Sequence, residues 1–451
     1  MTADPSADLQ TANPPSATTQ GDEGGVSPGA SLRRNSAWML AGNAVYAGCQ
    51  WAMLAVLARA GTTAMVGQFV LALSVTTPVM AFFMLQLRAV QATDARQAYH
   101  FRNYLALRLT TTAGAFITLL SIALVYGYRR ETALVIIAAA ISAAVDSVSD
   151  IVYGLLQQHE QMRRIAQSLI IKGTVSLVAL AAVVVATRSV FYGILAVAVT
   201  RGGVLIFWDL RNAAAVLGRR VAPSGLRPQW EVRKLLAMAW LALPLGISMM
   251  LIVLLVNIPR YFVDHFAGER ALGIFGALDY LGLAGTMVIT AMGESAMPRL
   301  ARCYAAGQTV EFARLLAKLV GVGAALGAAG VVVAIVAGRP ILSIVYGPEY
   351  AAHSNVLVWT MVAAAIGYVA AAAGYGATAA RYFRIQIPAS LLVAAVTATA
   401  CWWLVPRAGL TGAAVALCLM GAAQLFSRGL VIAYAMRAPV GALPAWEASQ
   451  P

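Results

Sequence analysis

YLALRLTTTAGAFITLLSIALVYGYRRETALVIIAAAISAAVDSVSDIVYGLL (104–156) contains two apolar runs, 104–127 and 132–156, parted by a joint carrying Arg129, Arg130 and Glu131. An α-helix rises ~1.5 Å per residue, so a run of about 20 apolar residues covers the ~30 Å hydrocarbon core of a bilayer. The same pattern extends outward in both directions. Apolar blocks fall near 36–58, 64–87, 168–187 and 190–210 in the first half. The second half adds 235–258, 271–293, 314–337, 352–376, 387–405 and 410–433. The spacing predicts an all-α integral membrane protein of about 12 transmembrane helices. A transmembrane barrel would instead alternate polar and apolar residues over segments of ~10 residues, which this chain does not do.

Composition agrees. Sixty per cent of the 451 residues are apolar and 11% are charged, with a mean hydropathy of +0.75. A soluble domain carries roughly 25% charged residues. The net charge of +14 does not point to nucleic acid, because the basic residues sit at the ends of apolar blocks rather than in a patch with interleaved aromatics. They are distributed unevenly between the two sets of joints. The set holding Arg33/Arg34, Arg88/Arg96/Arg102/Arg108, Arg163/Arg164/Lys172, Arg211 to Lys234, Arg299 to Lys318, Arg381/Arg384 and Arg428/Arg437 has 23 of the 32 basic residues. Positive flanks stay in the cytoplasm, so both termini are expected there.

Residues 1–30 are rich in Pro, Ser, Thr, Ala and Gly, carry Asp4, Asp8, Asp22 and Glu23, and lack an apolar run. They read as a disordered cytoplasmic tail without the features of a cleaved signal peptide. The longest joint, 211–234, contains Pro223, Gly225 and Pro228 and is read as a basic cytoplasmic linker between six-helix lobes at 31–210 and 235–433, with a second cytoplasmic tail at 434–451. VGQFVLALSVTTPVM (66–80) resembles LGIFGALDYLGLAGT (272–286), and YHFRNYLALRL (99–109) resembles VEFARLLAKLV (310–320). With an even number of spans in each half, the copies are parallel, and two such lobes are expected around a central cavity.

Motifs for chemistry are missing. No GxxxxGK[ST], HExxH or GxSxG occurs, and His100, His159, His265 and His353 are scattered. Cys49, Cys303, Cys401 and Cys418 are far apart and read as small buried hydrophobes. The chain reads as a non-enzyme with no cofactor and no metal. Small-residue runs such as 363–380 suit close helix packing, but an Arg-rich, Lys-poor composition explains the Ala and Gly equally well.

The informative residues are polar groups inside the apolar blocks, each costly in hydrocarbon. Arg201 lies in VFYGILAVAVTRGGVLIFW (190–208); its guanidinium either contacts an anionic headgroup or pairs with Asp146 or Asp150, which share one helical face. Asp146 and Asp150 can carry a coupling proton or cation, or neutralise arginines. Asp279, within FGALDYLGLAG, is a coupling candidate, and Glu294 is expected to cap the same helix near Arg299. Asn43, Gln50, Gln86, Arg88, Asn257 and Arg260 add polar groups to corresponding helices of the two halves, and Arg59 ends the first. If those helices line the cavity, its walls are polar and net basic. The amides serve equally as interhelical hydrogen-bond donors.

LQLRAVQATDARQAYHFRNYLALRL (85–109), AMPRLARCYAAGQTVEFARLLAKLVGVG (296–323), GRPILSIVYGPEYA (338–351) and YGATAARYFRIQIP (375–388) resemble bacterial polysaccharide flippases, the O-antigen and exopolysaccharide exporters of the multidrug/oligosaccharidyl-lipid/polysaccharide superfamily. The resemblance implies two parallel six-helix lobes around a cationic cavity that alternates between inward-open and outward-open states in the bacterial cytoplasmic (inner) membrane. Its implied cargo is a polyprenyl-diphosphate-linked oligosaccharide. The implied partners are that lipid-linked substrate, membrane lipid and polysaccharide polymerase or assembly proteins, with no nucleic acid. A cation-coupled multidrug exporter of the same superfamily, or a non-transporting scaffold for polysaccharide enzymes, remains open.

Overall fold

A computed structural model describes residues 28–94, 99–218, 227–380 and 386–437. The tail read at 1–30, save its last three residues, the middle of the linker read at 211–234, and residues 438–451 lie outside the described residues, as do Arg96, Arg381 and Arg384. The described chain is helical throughout: α1 (Pro28–Ala60), α2 (Thr63–Phe83), α3 (Leu87–Thr93), α4 (Phe101–Val125), α5 (Arg130–Gln158), α6 (Met162–Thr187) and α7 (Val190–Val204). A π-turn (Leu205–Asp209) joins α7 to α8 (Leu210–Leu217). Then come α9 (Val232–Tyr280), α10 (Leu283–Ala305), α11 (Thr309–Val345), α12 (Pro348–Ala351), α13 (Ser354–Ala379) and α14 (Gln386–Arg437).

Ten continuous helical stretches among the described residues are long and apolar enough to cross a membrane, but two of them, of 74 and 50 residues, are too long for one crossing. Each reverses at a glycine in the left-handed region, Gly268 (φ 80°) in α9 and Gly409 (φ 54°) in α14. The reversal in α9 is visible against α2. Gly246, Asn257 and Tyr261 lie beside Phe82, Thr77 and Ser74, running against α2, whereas Gly273 and Gly276 lie beside Thr63 and Val70, running with it. In α14, Gly412 packs directly on the Leu404 carbonyl. Cut at these two glycines, the described residues give about twelve spans, close to the number the apolar blocks predict.

The crossings group as the sequence halves do. In the first half α1 packs on α6, and α5 on α4 and α7; in the second, α13 packs on α11, α14 and α10. Large apolar side chains such as Ile117, Val178, Val199, Val336 and Trp402 face outward, as a lipid-facing surface requires. The halves meet chiefly where α2 lies along both arms of α9. A Cβ on Gly67 would fall 1.8 Å from the Glu269 carbonyl, and one on Gly273 2.1 Å from that of Thr63, so the backbones touch there.

Two spans depart from regular helix. The second is broken at Leu85 and Gln86, both left-handed (φ 49° and 50°), before α3 resumes. The sixth contains the π-turn. The crossing read as 271–293 runs on as helix to Ala305, past Glu294, because charged residues end a hydrophobic block without ending a helix. Several residues read as joint residues, Arg108, Lys172 and Arg428 among them, lie within helices and are buried or partly buried; the basic excess at that end of the molecule survives without these three.

Candidate functional site

A cavity of about 240 Å³ opens between the helices. Tyr46, Gln50 and Met53 of α1, Phe69 to Met84 of α2, Ser142, Asp146 and Ser147 of α5, and Ile194, Val197 and Arg201 of α7 line it, with Tyr280 of α9 closing one side. The corresponding helices of the two halves therefore do not contribute equally: nearly the whole wall is first-half residues.

Its polar wall is a network of charges. Arg201 donates through Nη1 to Asp146 Oδ2, and its Nη2 reaches Gln50 Oε1 at 3.4 Å. The other Asp146 oxygen lies 3.3 Å from Lys172 Nζ, which is 3.6 Å from Asp209 Oδ2 on its far side. Ser168 donates to Asp209 Oδ1 (2.5 Å) and shares a 2.8 Å hydrogen bond with Tyr153. One turn along α5, Asp150 accepts from Arg108 (2.9 Å) and faces Arg88 at 3.6 Å. Arg108 also donates to the Met84 carbonyl (3.1 Å), which at the break in the second span accepts from the Leu87 N–H as well, and Arg88 donates to Gln157 (3.1 Å). Across the cavity, behind Tyr280, Arg260 pairs with Asp279 at 2.7 Å and donates to Asn257 at 3.1 Å.

Charges this deep must be compensated. Here Asp146, Asp150, Asp209 and Asp279 face Arg88, Arg108, Lys172, Arg201 and Arg260, leaving one positive charge over. Arg201 pairs with Asp146, the second of its two sequence readings, and it also lines the cavity. Gln50 and Asp146 line it too; Arg88, Gln86 and Asp150 sit beyond its Met84 edge. Asn257 donates back to the Val253 carbonyl (2.8 Å), and Asn43 is exposed on α1. Arg59 lies elsewhere, at the basic-poor end, where it donates to the Ser343 and Val345 carbonyls at 3.1 and 3.2 Å. Glu294 is exposed on α10, and Arg299, its expected neighbour, pairs with Glu311.

Sequence reasoning missed Lys172, Arg108 and Asp209 as members of the network. The first two stand only four residues inside their predicted blocks, and Asp209 stands at the end of one, so each reads as a flank. Among the described residues, no group of three His, Cys, Asp or Glu side chains converges as a metal site would require.

The fold has solved counterparts. A MATE transporter from Vibrio cholerae, VcmN, superposes with a TM-score of 0.58 at 14% identity over 90% of this chain and 96% of its own. A transporter of the MOP superfamily from Pyrococcus furiosus, described as having a binding pocket of reverse polarity, superposes with a TM-score of 0.54 at 15% identity, covering 90% and 95% of the two chains. In sequence, the capsular polysaccharide biosynthesis protein CapF of Staphylococcus aureus is 25% identical over 332 residues, 72% of this chain and 80% of that protein. The family model described as "Polysaccharide biosynthesis protein" matches residues 32–304. With well over half its length on that model, the chain belongs to the polysaccharide biosynthesis protein family.

Proposed function

We propose that the protein is a flippase that moves a polyprenyl-diphosphate-linked oligosaccharide from the cytoplasmic to the outer leaflet of a bacterial inner membrane, for assembly of a surface polysaccharide. The observation that carries this reading is the Arg201 guanidinium on the cavity wall, at the edge of a network in which five cations face four carboxylates. An excess of positive charge favours a phosphorylated headgroup and disfavours the cationic drugs a multidrug exporter would carry. Family and fold point the same way, to a membrane transporter working in polysaccharide synthesis rather than a catalyst. At about 240 Å³ the cavity takes the diphosphate only; in this reading it widens for the oligosaccharide as the halves part, while the isoprenoid tail stays in lipid.

In this reading Arg201 and Arg88 contact the diphosphate, because a guanidinium offers phosphate two parallel hydrogen bonds. Gln50, Gln86, Asn43 and Asn257 supply neutral polar contacts along the path, and Arg260 with Asp279 holds the opposite wall. Arg59 acts at the far end, where cargo leaves. Asp279, or the Asp146/Asp150 pair, carries any coupling cation, with Glu294 at the mouth. Both termini are cytoplasmic, where a polymerase or assembly protein can be met.

The test is surface-polysaccharide export in cells lacking this chain and complemented with wild type, Arg201→Lys or Arg201→Ala, with lipid-linked intermediates assayed in the cytoplasmic leaflet. The flippase reading expects intermediates to accumulate in the deletion and with Arg201→Ala at normal membrane levels of protein, and to clear in part with Arg201→Lys. Normal polysaccharide with altered drug tolerance would replace it with the multidrug reading. Full complementation by Arg201→Ala would favour a scaffold.

A further inference from the structure

The headgroup reading leaves a difficulty that the buried network resolves. Arg201 already holds Asp146, so a phosphate that takes the guanidinium must take it from a carboxylate. A buried carboxylate stripped of its only partner is strongly destabilising, and that cost would cancel the gain from binding. Asp146 has a second partner, however. Lys172 stands 3.3 Å from its other oxygen with 2% of its side chain exposed, and it does not line the cavity.

Lys172 is itself placed between two carboxylates. Asp209, fully buried, faces it from the opposite side at 3.6 Å, and neither the Asp146 nor the Asp209 oxygen nearest to Lys172 makes a hydrogen bond. The ammonium is thus shared by charge and committed by hydrogen bonding to neither. The face of the Tyr153 ring, 5.3 Å from Nζ, provides a further neutral seat. Asp209 reaches this position from the π-turn, a wider turn than α-helix, and keeps a Ser168 hydrogen bond when the ammonium leans away. Arg201 also has an Nε with no partner and a weakly held Nη2, so two of its donors are not firmly committed.

We propose that Lys172, backed by Asp209, is a positioning residue that takes over Asp146 when Arg201 turns to a phosphate of the cargo. Without cargo the chain of charges runs Arg201, Asp146, Lys172, Asp209, alternating in sign and neutral in sum. With cargo bound, Arg201 neutralises phosphate and Lys172 leans toward Asp146 while staying between the two carboxylates, so that Asp209, which keeps its Ser168 hydrogen bond, is not stranded. A lysine suits this task because its ammonium is a compact point charge with three rotatable donors on a flexible stem, so it can lean between oxygens without losing a fork geometry. The inference rests on the anionic-headgroup reading above and adds how that site releases its own counter-ion.

The test uses the full chain in lipid nanodiscs, with farnesyl diphosphate as probe and farnesol as its uncharged counterpart. Lys172→Met/Asp209→Asn removes one charge of each sign, so nothing is stranded, but it leaves Arg201 as the sole partner of Asp146. This variant is expected to fold with wild-type thermal stability, bind farnesol unchanged, and lose farnesyl diphosphate affinity by about tenfold or more, a coupling of ordinary size for charges in contact. Adding Asp146→Asn frees Arg201 and is expected to restore diphosphate affinity to within about threefold of wild type. Lys172→Arg keeps the charge and is expected to retain most of the affinity. Unchanged diphosphate affinity in the double variant overturns the proposal, as does a folded triple variant that stays weak. A triple variant that fails to insert leaves the decision to the double variant and Lys172→Arg. Wild type that prefers farnesol, or binds both alike, overturns the headgroup reading itself, a result distinct from either of these.

Discussion

Arg108 has no exposed side-chain surface, yet in the sequence it is one more arginine at the edge of an apolar block. Its two partners explain the burial: Asp150 neutralises the guanidinium, and the Met84 carbonyl, which also takes the Leu87 N–H at the break in the second span, accepts from it. Arg108→Ala leaves Asp150 with only the longer Arg88 contact, so a stability loss of roughly 3–5 kcal/mol is expected, read as a fall in thermal unfolding temperature of the purified protein. Arg108→Ala/Asp150→Ala should recover part of that loss, since no charge of the pair is then stranded. Lone residues were legible where they stand deep in a block, as Arg201, Asp146 and Asp279 do. They were not legible within one turn of a predicted end, because a hydrophobic run fixes a helix boundary only to a few residues and says nothing about which face turns inward.

At the scale of elements, the breaks matter more than the helices. The hairpins at Gly268 and Gly409 could be anticipated from the short joints after 258 and 405, whereas the break at Leu85–Gln86 and the π-turn at 205–209 could not, because apolar runs continue through both and only tertiary partners decide them. Two successive left-handed residues without glycine carry a strain of about 1–2 kcal/mol each. Gln86 is the clean probe, since Leu85 is buried in the core. Gln86→Gly is expected to stabilise by roughly 1 kcal/mol and Gln86→Val to destabilise by at least as much, both read by thermal unfolding.

The basic-poor ends of the elements are also tied across the two halves. Arg59 donates into the last carbonyls of α11, where a cation meets the negative end of the helix dipole. Trp51 donates to Tyr346 (3.0 Å), Thr63 to Glu349 (3.2 Å), and Gln68 and Thr132 to Glu269. These bonds must break if cargo leaves by that end. Arg59→Ala/Glu269→Ala should therefore shift the population toward an open outer face. In a cysteine-free background, Thr76→Cys on the cavity wall should then react with an impermeant maleimide added outside the cell. It should stay unreactive from outside when Arg59 and Glu269 are intact, and equal labelling in both would show that these bonds do not hold the face shut.

For the whole molecule, the all-helical membrane fold and an approximate crossing number were legible because both rest on counts that survive small boundary errors. The lopsided cavity was not. Similar helices in the two copies suggested matching walls, but the charged side chains that make a wall polar are concentrated in α5, α6 and the span from Val190 to Leu217, and the second copy places apolar residues and the lone Arg260–Asp279 pair opposite them. If the polar wall of one half binds the cargo as proposed, its cations have an energetic consequence for transport. A diphosphate that crosses outward with two negative charges uncompensated gains ~2.3 kcal/mol per charge for each 100 mV of inside-negative potential, enough to bias the equilibrium by about a thousandfold at 100 mV. In liposomes holding the purified protein in one orientation, with the potential set by a potassium gradient and valinomycin, outward movement of a polyprenyl-diphosphate-linked sugar should rise with inside-negative potential and reverse when its sign is reversed. If movement instead ignores the potential and follows an imposed proton or sodium gradient, the charge crosses compensated, and the coupling role falls to the carboxylates, with Asp279→Asn and Asp146→Asn the variants that identify which one carries it.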